Sequence, residues 1–252
     1  MSQWYRQDLA YIHDVGHSDY ALKSAPSILK TLAQCGIPEG WIVDFGCGSG
    51  WSAEAFVQAG YRVLGVDSSA ALIAIARDRV PQADFQVGSM YEVDIPPCQA
   101  VTSIGECLNY WSSSESHAPK LQQLFQRVYQ ALTPGGVFMF DMAEPGQVTV
   151  DGCVKGFAEG ADWIVLLEKS EQQNPAILTR RIVTLRQVGD VYRRDDECHQ
   201  LQLYPAETLA TALRQIGFKV QIQRRYSEFT LPPAHAVLVA QKPPDLQDNR
   251  PL

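Results

Sequence analysis

Three features are scarce in this chain of 252 residues. No stretch approaches the roughly 18 consecutive apolar residues of a membrane-crossing helix, and the amino terminus, MSQWYRQDLAYIHD, has no basic start followed by an apolar run, so neither a membrane span nor a secretory leader is expected. The six cysteines (Cys35, Cys47, Cys98, Cys107, Cys153 and Cys198) form no CxxC pair and have no histidine at metal-ligand spacing. That pattern argues against a zinc site or a disulfide framework and predicts reduced, mostly buried thiols with no metal. Positive charge is also in deficit: 21 Lys and Arg against 28 Asp and Glu leave a formal net charge of -7. Such a balance repels phosphate backbones and anionic lipid, so neither nucleic acid nor a membrane is expected as a partner, and a cytoplasmic protein is expected.

With 46% hydrophobic and 19% charged residues, the chain has enough apolar surface to fold around its own core. Its length fits one α/β domain carrying an insertion. From Trp41 onward, short apolar runs alternate with helical patterns, the signature of a mostly parallel sheet covered by helices. WIVDFG, YRVLGVD, ADFQVGS, AVTSIGE and GGVFMFDMA read as strands, the last after the turn TPGG. Between them SAEAFVQAG reads as a helix capped by Ser52, SSAALIAIARDRV as one capped by Ser68 or Ser69, and PKLQQLFQRVYQAL as a third. AETLATALRQIG is a further helix, and FKVQIQRRY and HAVLVAQK close the sheet as a hairpin-like pair.

Four segments follow. Residues 1–40 read as an N-terminal helical lid, and 41–150 with 205–242 as the main α/β domain. Residues 151–204, with WIVLLEKSE, ILTRRIVTLRQV and VYRRDDECHQLQLY separated by QQNP and GD, read as an inserted three-stranded antiparallel meander. The tail, 243–252, has no apolar pattern and is expected to be disordered. No internal repeat or low-complexity block is visible.

The most informative stretch is VDFGCGSGWSAEAF, where Gly46, Gly48 and Gly50 lie between a strand and a helix. Alternating glycines let the chain turn sharply and bring a ligand against the main chain, where amides and a helix start favour an anionic group. Asp67 closes the next strand beside this loop, at the carboxyl edge of the sheet, where a carboxylate can take both hydroxyls of a ribose. Two cofactor classes fit. Gly48, Gly50 and Ala53 satisfy the dinucleotide pattern GxGxxA, which leaves an NAD-dependent oxidoreductase as an alternative. Against it stand Asp44, which would repel a pyrophosphate, and Trp51, bulky where a dinucleotide fold wants a small residue.

These residues resemble a family, the class I S-adenosylmethionine-dependent methyltransferases of small-molecule type. DFGCGSG is similar to that family's acidic-x-GxGxG motif, YRVLGVDSS to its second strand with the ribose acid, LTPGGVFMFD to its fifth strand, and HAVLVAQK to its reversed last strand. The resemblance covers roughly residues 40–143 and 205–241. It implies a Rossmann-like, doubly wound, mostly parallel sheet with a reversed last strand, with the antiparallel meander added as an acceptor-side cap. S-adenosylmethionine would be the cofactor and S-adenosylhomocysteine the product.

By the same resemblance, Gly46, Cys47, Gly48 and Gly50 flank the methionine portion and Asp44 orients the loop. Asp67 holds the ribose, Ser68 packs near the adenine, and GSM (Gly88 to Met90) borders it, with Ser89 standing where the family often has an acid. SIGE, including Gly105, runs past the sulfonium.

Methyl transfer from a sulfonium asks chiefly for alignment, plus a base where the acceptor must lose a proton. Candidate bases are His13, His17 and Glu106. Candidate acceptor contacts are Tyr11 and Tyr20 in the crowded segment LAYIHDVGHSDYA, Tyr110 and Trp111 after the fourth strand, and His199, which shares one strand face with Leu201 and Leu203. The meander's charges, Arg180, Arg181, Arg186, Arg193 and Arg194 against Asp195, Asp196 and Glu197, read first as a solvated sheet face with cross-strand ion pairs and second as an anion-recognition set. His235 is expected to be structural. The expected activity is methyl transfer to a small molecule; a non-catalytic cofactor-binding module is the third reading.

Overall fold

Apolar strand runs alternating with amphipathic helices require a sheet covered on both faces. The computed structural model describes residues 4–111, 116–149 and 152–244 and has that architecture. Two helices open the chain, α1 (Gln7–Gly16) and α2 (Asp19–Gln34). The sheet is then built by β1 (Trp41–Phe45), α3 (Trp51–Gln58), β2 (Arg62–Asp67), α4 (Ala70–Arg79), β3 (Asp84–Val87), β4 (Cys98–Ser103), α5 (His117–Ala131) and β5 (Leu132–Ala143). An excursion follows through β6 (Cys153–Glu159), β7 (Trp163–Gln173), β8 (Ala176–Val188) and β9 (Val191–Gln202). The chain returns through α6 (Ala206–Ile216), β10 (Lys219–Gln223), the short β11 (Arg225–Tyr226) and β12 (Phe229–Thr230), and β13 (His235–Gln241).

The main sheet has the order β10-β13-β5-β4-β1-β2-β3. β1 to β5 pair in parallel, whereas β13 runs antiparallel to both β5 and β10, as the reversed last strand required. Alternation divides the core: Val43, Phe45, Phe138 and Phe140 pack with Phe125 of α5 and Leu213 of α6, while Ile42, Val63 and Val237 meet Ile28 of α2 and Phe56 of α3. Full burial contributes about 1.5–3 kcal/mol for each such side chain. The sheet is therefore a firm base for the loops at its carboxyl edge.

Several expectations need correction. α3 starts at Trp51, capped by Gly50 in the left-handed region, and Ser52 is buried inside the first turn, because the glycine loop feeds straight into the helix. Of the two caps expected for α4, Ser69 is the one used, and its hydroxyl accepts the amide of Leu72 at 3.2 Å, in agreement with the sequence. β5 already begins at Leu132, and a register irregularity opposite Cys98–Ala100 accommodates the TPGG segment.

The meander has four strands, in the order β6-β7-β8-β9. Its first strand, CVKGFAE, was hidden from periodicity because nearly every residue of this edge strand is exposed, so no face of it is apolar. The six thiols are free, but Cys47 and Cys98 alone are buried. Cys153 lies on that open edge, and Cys198 alternates to the side of β9 opposite Glu197 and His199, so both are exposed.

The meander charges are not a uniformly solvated face. Strand register puts Arg180, Arg186, Arg193, Asp195, Glu197 and His199 on the inner side. There Arg186 and Arg193 both bind Asp8 of α1, and Arg6 binds Asp195, so the ion pairs tie the insertion to the N-terminal segment. No helix among the described residues is long and apolar enough to cross a membrane. Of the tail expected to be disordered, residues 245–252 lie outside the described residues.

Candidate active site

Gly46, Gly48 and Gly50 have φ of 67°, 56° and 86°, a region glycine enters without steric cost. Each does a different job. A Cβ on Gly46 would run into the Cys107 side chain, one on Gly50 would press on Ala76 of α4 at 3.2 Å, and one on Gly48 would meet nothing within 4 Å. Gly48 thus offers bare backbone to open space. Its amide donates to Asp67 Oδ2 at 3.0 Å, while Oδ1 accepts the amide of Ser69 at 2.8 Å. Asp67 therefore joins the glycine loop to the start of α4. Burial raises its pKa, and these amide hydrogen bonds oppose that rise.

The loop opens on a cavity of about 870 Å³, within the size range of small-molecule and cofactor sites. At the sheet edge it is lined by Asp44, Gly46, Cys47, Gly48, Asp67 and Ser68, and next to these by Ser89, Met90 and Gly105. His13, His17 and Tyr20 enter from the N-terminal helices, and Glu106 and Tyr110 from the segment after β4. Val165, Leu167, Lys169, Arg180 and Ile182 supply the far wall from the meander.

Four sequence candidates do not line this cavity. Gly50 sits behind the loop, spacing α3 from α4. Tyr11 turns outward, its ring under the Arg186 guanidinium at 3.6 Å and its hydroxyl on Asp162 at 3.1 Å. Trp111 stacks on His117 at 4.7 Å and borders a second, smaller cavity with Tyr204. His199 is fully buried, hydrogen-bonded to Glu197 at 2.8 Å and covered by the rings of Tyr5 and Tyr110. Asp44 lines the cavity, but its partner is Thr102 on β4 at 2.6 Å rather than a loop amide. Burial pushes Asp44 up to about 7.

Behind Gly105 a carboxylate organises the next loop. Asp141, at the end of β5, accepts the amides of Gly105 at 3.0 Å and Glu106 at 2.6 Å and the hydroxyl of Tyr226 at 2.9 Å. Gly105 and Glu106 both adopt positive φ, 91° and 61°, and a Cβ on Gly105 would meet nothing within 4 Å. Glu106 then points at two basic side chains: Arg180 Nη2 lies 2.5 Å from one carboxylate oxygen and His235 Nε2 2.5 Å from the other. Burial alone would raise the Glu106 pKa, but these partners outweigh it and hold the group at about 2. His235, expected to be structural, is one arm of this chain.

His13 Nδ1 is buried with no partner among the described residues, and desolvation brings the pKa of His13 down to about 4, so it is neutral at pH 7. Sequence reading missed Tyr5, Asp141 and Lys169. Tyr5 is held across the cavity by Glu197, which accepts its amide at 2.7 Å, and by Ser69, whose hydroxyl donates to its carbonyl at 2.7 Å. No local motif marks it. Lys169 was readable only as the residue that shares the face of Val165 and Leu167 by alternation. Trp51, too bulky for a dinucleotide fold, faces the N-terminal helix: its Nε1 donates to Asp14 at 2.9 Å and Arg79 lies on its ring at 3.7 Å.

The residues fit a nucleoside cofactor on their own geometry. Bare backbone at Gly48 and Gly105 faces open space, and the half-buried carboxylate of Asp67 stands beside the first of them.

A methyltransferase-domain family model matches residues 42–136. Among curated proteins, the chain is 33% identical over 137 residues to a trans-aconitate 2-methyltransferase of Variovorax paradoxus (strain S110), an overlap of 53% of this chain and 51% of that protein. The chain thus spans about half the length of that relative. Its fold is similar to a crystal structure of an S-adenosylmethionine-dependent methyltransferase from Clostridium acetobutylicum ATCC 824, with TM-score 0.78 and 18% identity over 93% of this chain and 97% of that one. A sugar N-methyltransferase from Streptoalloteichus sp ATCC 53650 has TM-score 0.77 and 17% identity, covering 94% of each chain. The motif match over residues 42–136, the sheet with its reversed last strand and these similarities agree, and together they support a class I S-adenosylmethionine-dependent methyltransferase.

Proposed function

We propose that this protein transfers a methyl group from S-adenosylmethionine to a small-molecule acceptor bound in the same cavity. One observation carries the reading: the cavity is continuous from the glycine loop and Asp67 to the meander's inner face, so cofactor and acceptor share one enclosure. The trans-aconitate and sugar N-methyltransferases named above, both acting on small molecules, support it. In this reading residues 41–150 and 205–242 hold the cofactor, and residues 1–40 with 151–204 form the cap over the acceptor. Six free thiols suit the cytoplasm.

Asp67 takes the ribose hydroxyls, the backbone at Gly46, Cys47, Gly48 and Gly105 borders the methionine portion, and Ser68, Ser89 and Met90 border the adenine. When bound, the cofactor supplies a methyl group already activated by a positively charged sulfur. The chain's own task is alignment and exclusion of water. Tyr5 and Tyr110, joined through their hydroxyls at 3.1 Å, help enclose the chamber. Of the three candidate bases, Glu106 is held ionised by Arg180 and His235 and has little basicity left. His17 is exposed beside Trp163. His13, neutral and with Nδ1 unpartnered among the described residues, is the group that can receive a proton from an acceptor.

Calorimetry with S-adenosylhomocysteine and with NAD tests the cofactor, and incubation with methyl-labelled S-adenosylmethionine and fractionated metabolites, followed by mass spectrometry, tests transfer. Micromolar binding of the homocysteine product, none of NAD, and label in a small molecule are expected. Binding without label in any fraction would favour a non-catalytic module, and binding of NAD instead would overturn the reading.

A further inference from the structure

Resting on that methyltransferase reading, we propose that the acceptor carries a carboxylate on an apolar body, and that Lys169 is the residue that recognises the carboxylate. Lys169 lines the cavity and is half-buried, yet its ammonium has no hydrogen bond or ion pair among the described residues. Cross-strand register sets it directly opposite Arg180, which also lines the cavity and is almost wholly buried. Arg180 gives one nitrogen to Glu106, and its Nε is buried with no partner among the described residues. This corner therefore sets Lys169 and Arg180 against the one carboxylate of Glu106, with His235 on that same carboxylate adding a further positive charge when protonated, so an anionic ligand group would reduce the excess. Withdrawing a cation from water without a counter-charge is costly, so this excess of positive charge favours an anionic ligand group.

The same strand face says what is attached to that anion. On β7 the residues alternating with Lys169 are Leu167 and Val165, facing Ile182 on β8, and Leu9 of α1 packs with them. At roughly 3.4 Å per residue these side chains lie about 7 and 14 Å along the strand from Lys169. An apolar group a few carbons from the carboxylate lands on them. The other carboxylate this corner could meet is that of the cofactor's methionine portion, and the test separates the two.

Protein saturated with S-adenosylhomocysteine is titrated calorimetrically with 3-phenylpropanoate, 3-phenylpropan-1-ol and 3-phenylpropylamine, which share a body and differ in charge. The acid is expected to bind at least tenfold more tightly than the alcohol and the amine. Lys169→Met should erase that preference and Lys169→Arg retain it, while affinities for S-adenosylhomocysteine and for methylthioadenosine, which lacks the amino-acid portion, stay within twofold. Equal binding of the three probes, or a preference surviving Lys169→Met, overturns the proposal. So does a Lys169→Met variant that loses S-adenosylhomocysteine but keeps methylthioadenosine, because Lys169 would then serve the cofactor. Failure of the unsubstituted protein to bind S-adenosylhomocysteine overturns the methyltransferase reading instead; the three probes, titrated also without it, still decide the anion preference.

Discussion

Asp141 accepts the backbone amide of Glu106 at 2.6 Å, so a buried carboxylate on one strand fixes the direction in which a second carboxylate, one loop away, faces the cavity. The same group takes the Gly105 amide and the Tyr226 hydroxyl, and burial pushes its pKa up to about 6. Asp141→Asn would turn an NH2 toward at least one of these donors. Stability is expected to fall by about 1–3 kcal/mol, the cost of a buried unpaired donor, together with a severalfold loss of S-adenosylhomocysteine affinity. Urea denaturation and calorimetry measure the two; an unchanged affinity would separate the loop from the cofactor.

Gly46 and Gly48 share a left-handed backbone but differ in surroundings. Both alanine variants bear the conformational strain of about 1 kcal/mol. Gly46→Ala must also displace the Cys107 side chain, so it is expected to be the less stable in denaturant. Gly48→Ala should lose more cofactor affinity than stability, because its methyl group enters the cavity. Equal effects in both assays would contradict the distinction.

Asp8 holds α1 against the meander through Arg186 at 3.1 Å and Arg193. Asp8→Ala leaves both guanidinium groups without this partner and is expected to speed hydrogen exchange across residues 7–16 at least tenfold while the main sheet remains protected. Uniform exchange across the protein would indicate that α1 is held by its apolar face alone.

His117 is held in its neutral form by burial, with a pKa near 4, and its Nε2 meets the Tyr91 hydroxyl at 2.7 Å. A depressed histidine binds fewer protons when folded than when unfolded. Its contribution is complete above pH 6.5 and is lost as pH falls toward 4, at a limiting slope of about 1.4 kcal/mol per pH unit. His13 has the same sign over the same window. Asp44 and Asp141, with raised pKa values, oppose it as pH falls through 7 and 6 toward the usual carboxylate range. Replacing His117 with Gln should therefore flatten the acid side of the stability profile between pH 6.5 and 4, read from melting temperatures in a pH series. A slope identical to that of the unsubstituted protein would contradict its burial in the neutral form.

What the sequence alone determined lies in local backbone chemistry. Gly46, Gly48 and Asp67 were legible because a left-handed turn and a strand-end carboxylate each demand particular residues within a few positions, and the strands of the parallel sheet were legible because burial on both faces leaves continuous apolar runs. Tertiary structure alone decided the rest. Trp111 and Tyr11 looked like pocket walls from composition, yet one stacks on His117 and the other under Arg186, in directions that sequence spacing does not encode. β6 escaped notice because an exposed edge strand buries no face, and Arg180, opposite Lys169 in the meander, meets Glu106 and through it His235 only by the packing of the meander over the main sheet. Contacts between residues far apart in sequence depend on register and docking, which are set by the collective burial of many side chains, and no local pattern carries that information.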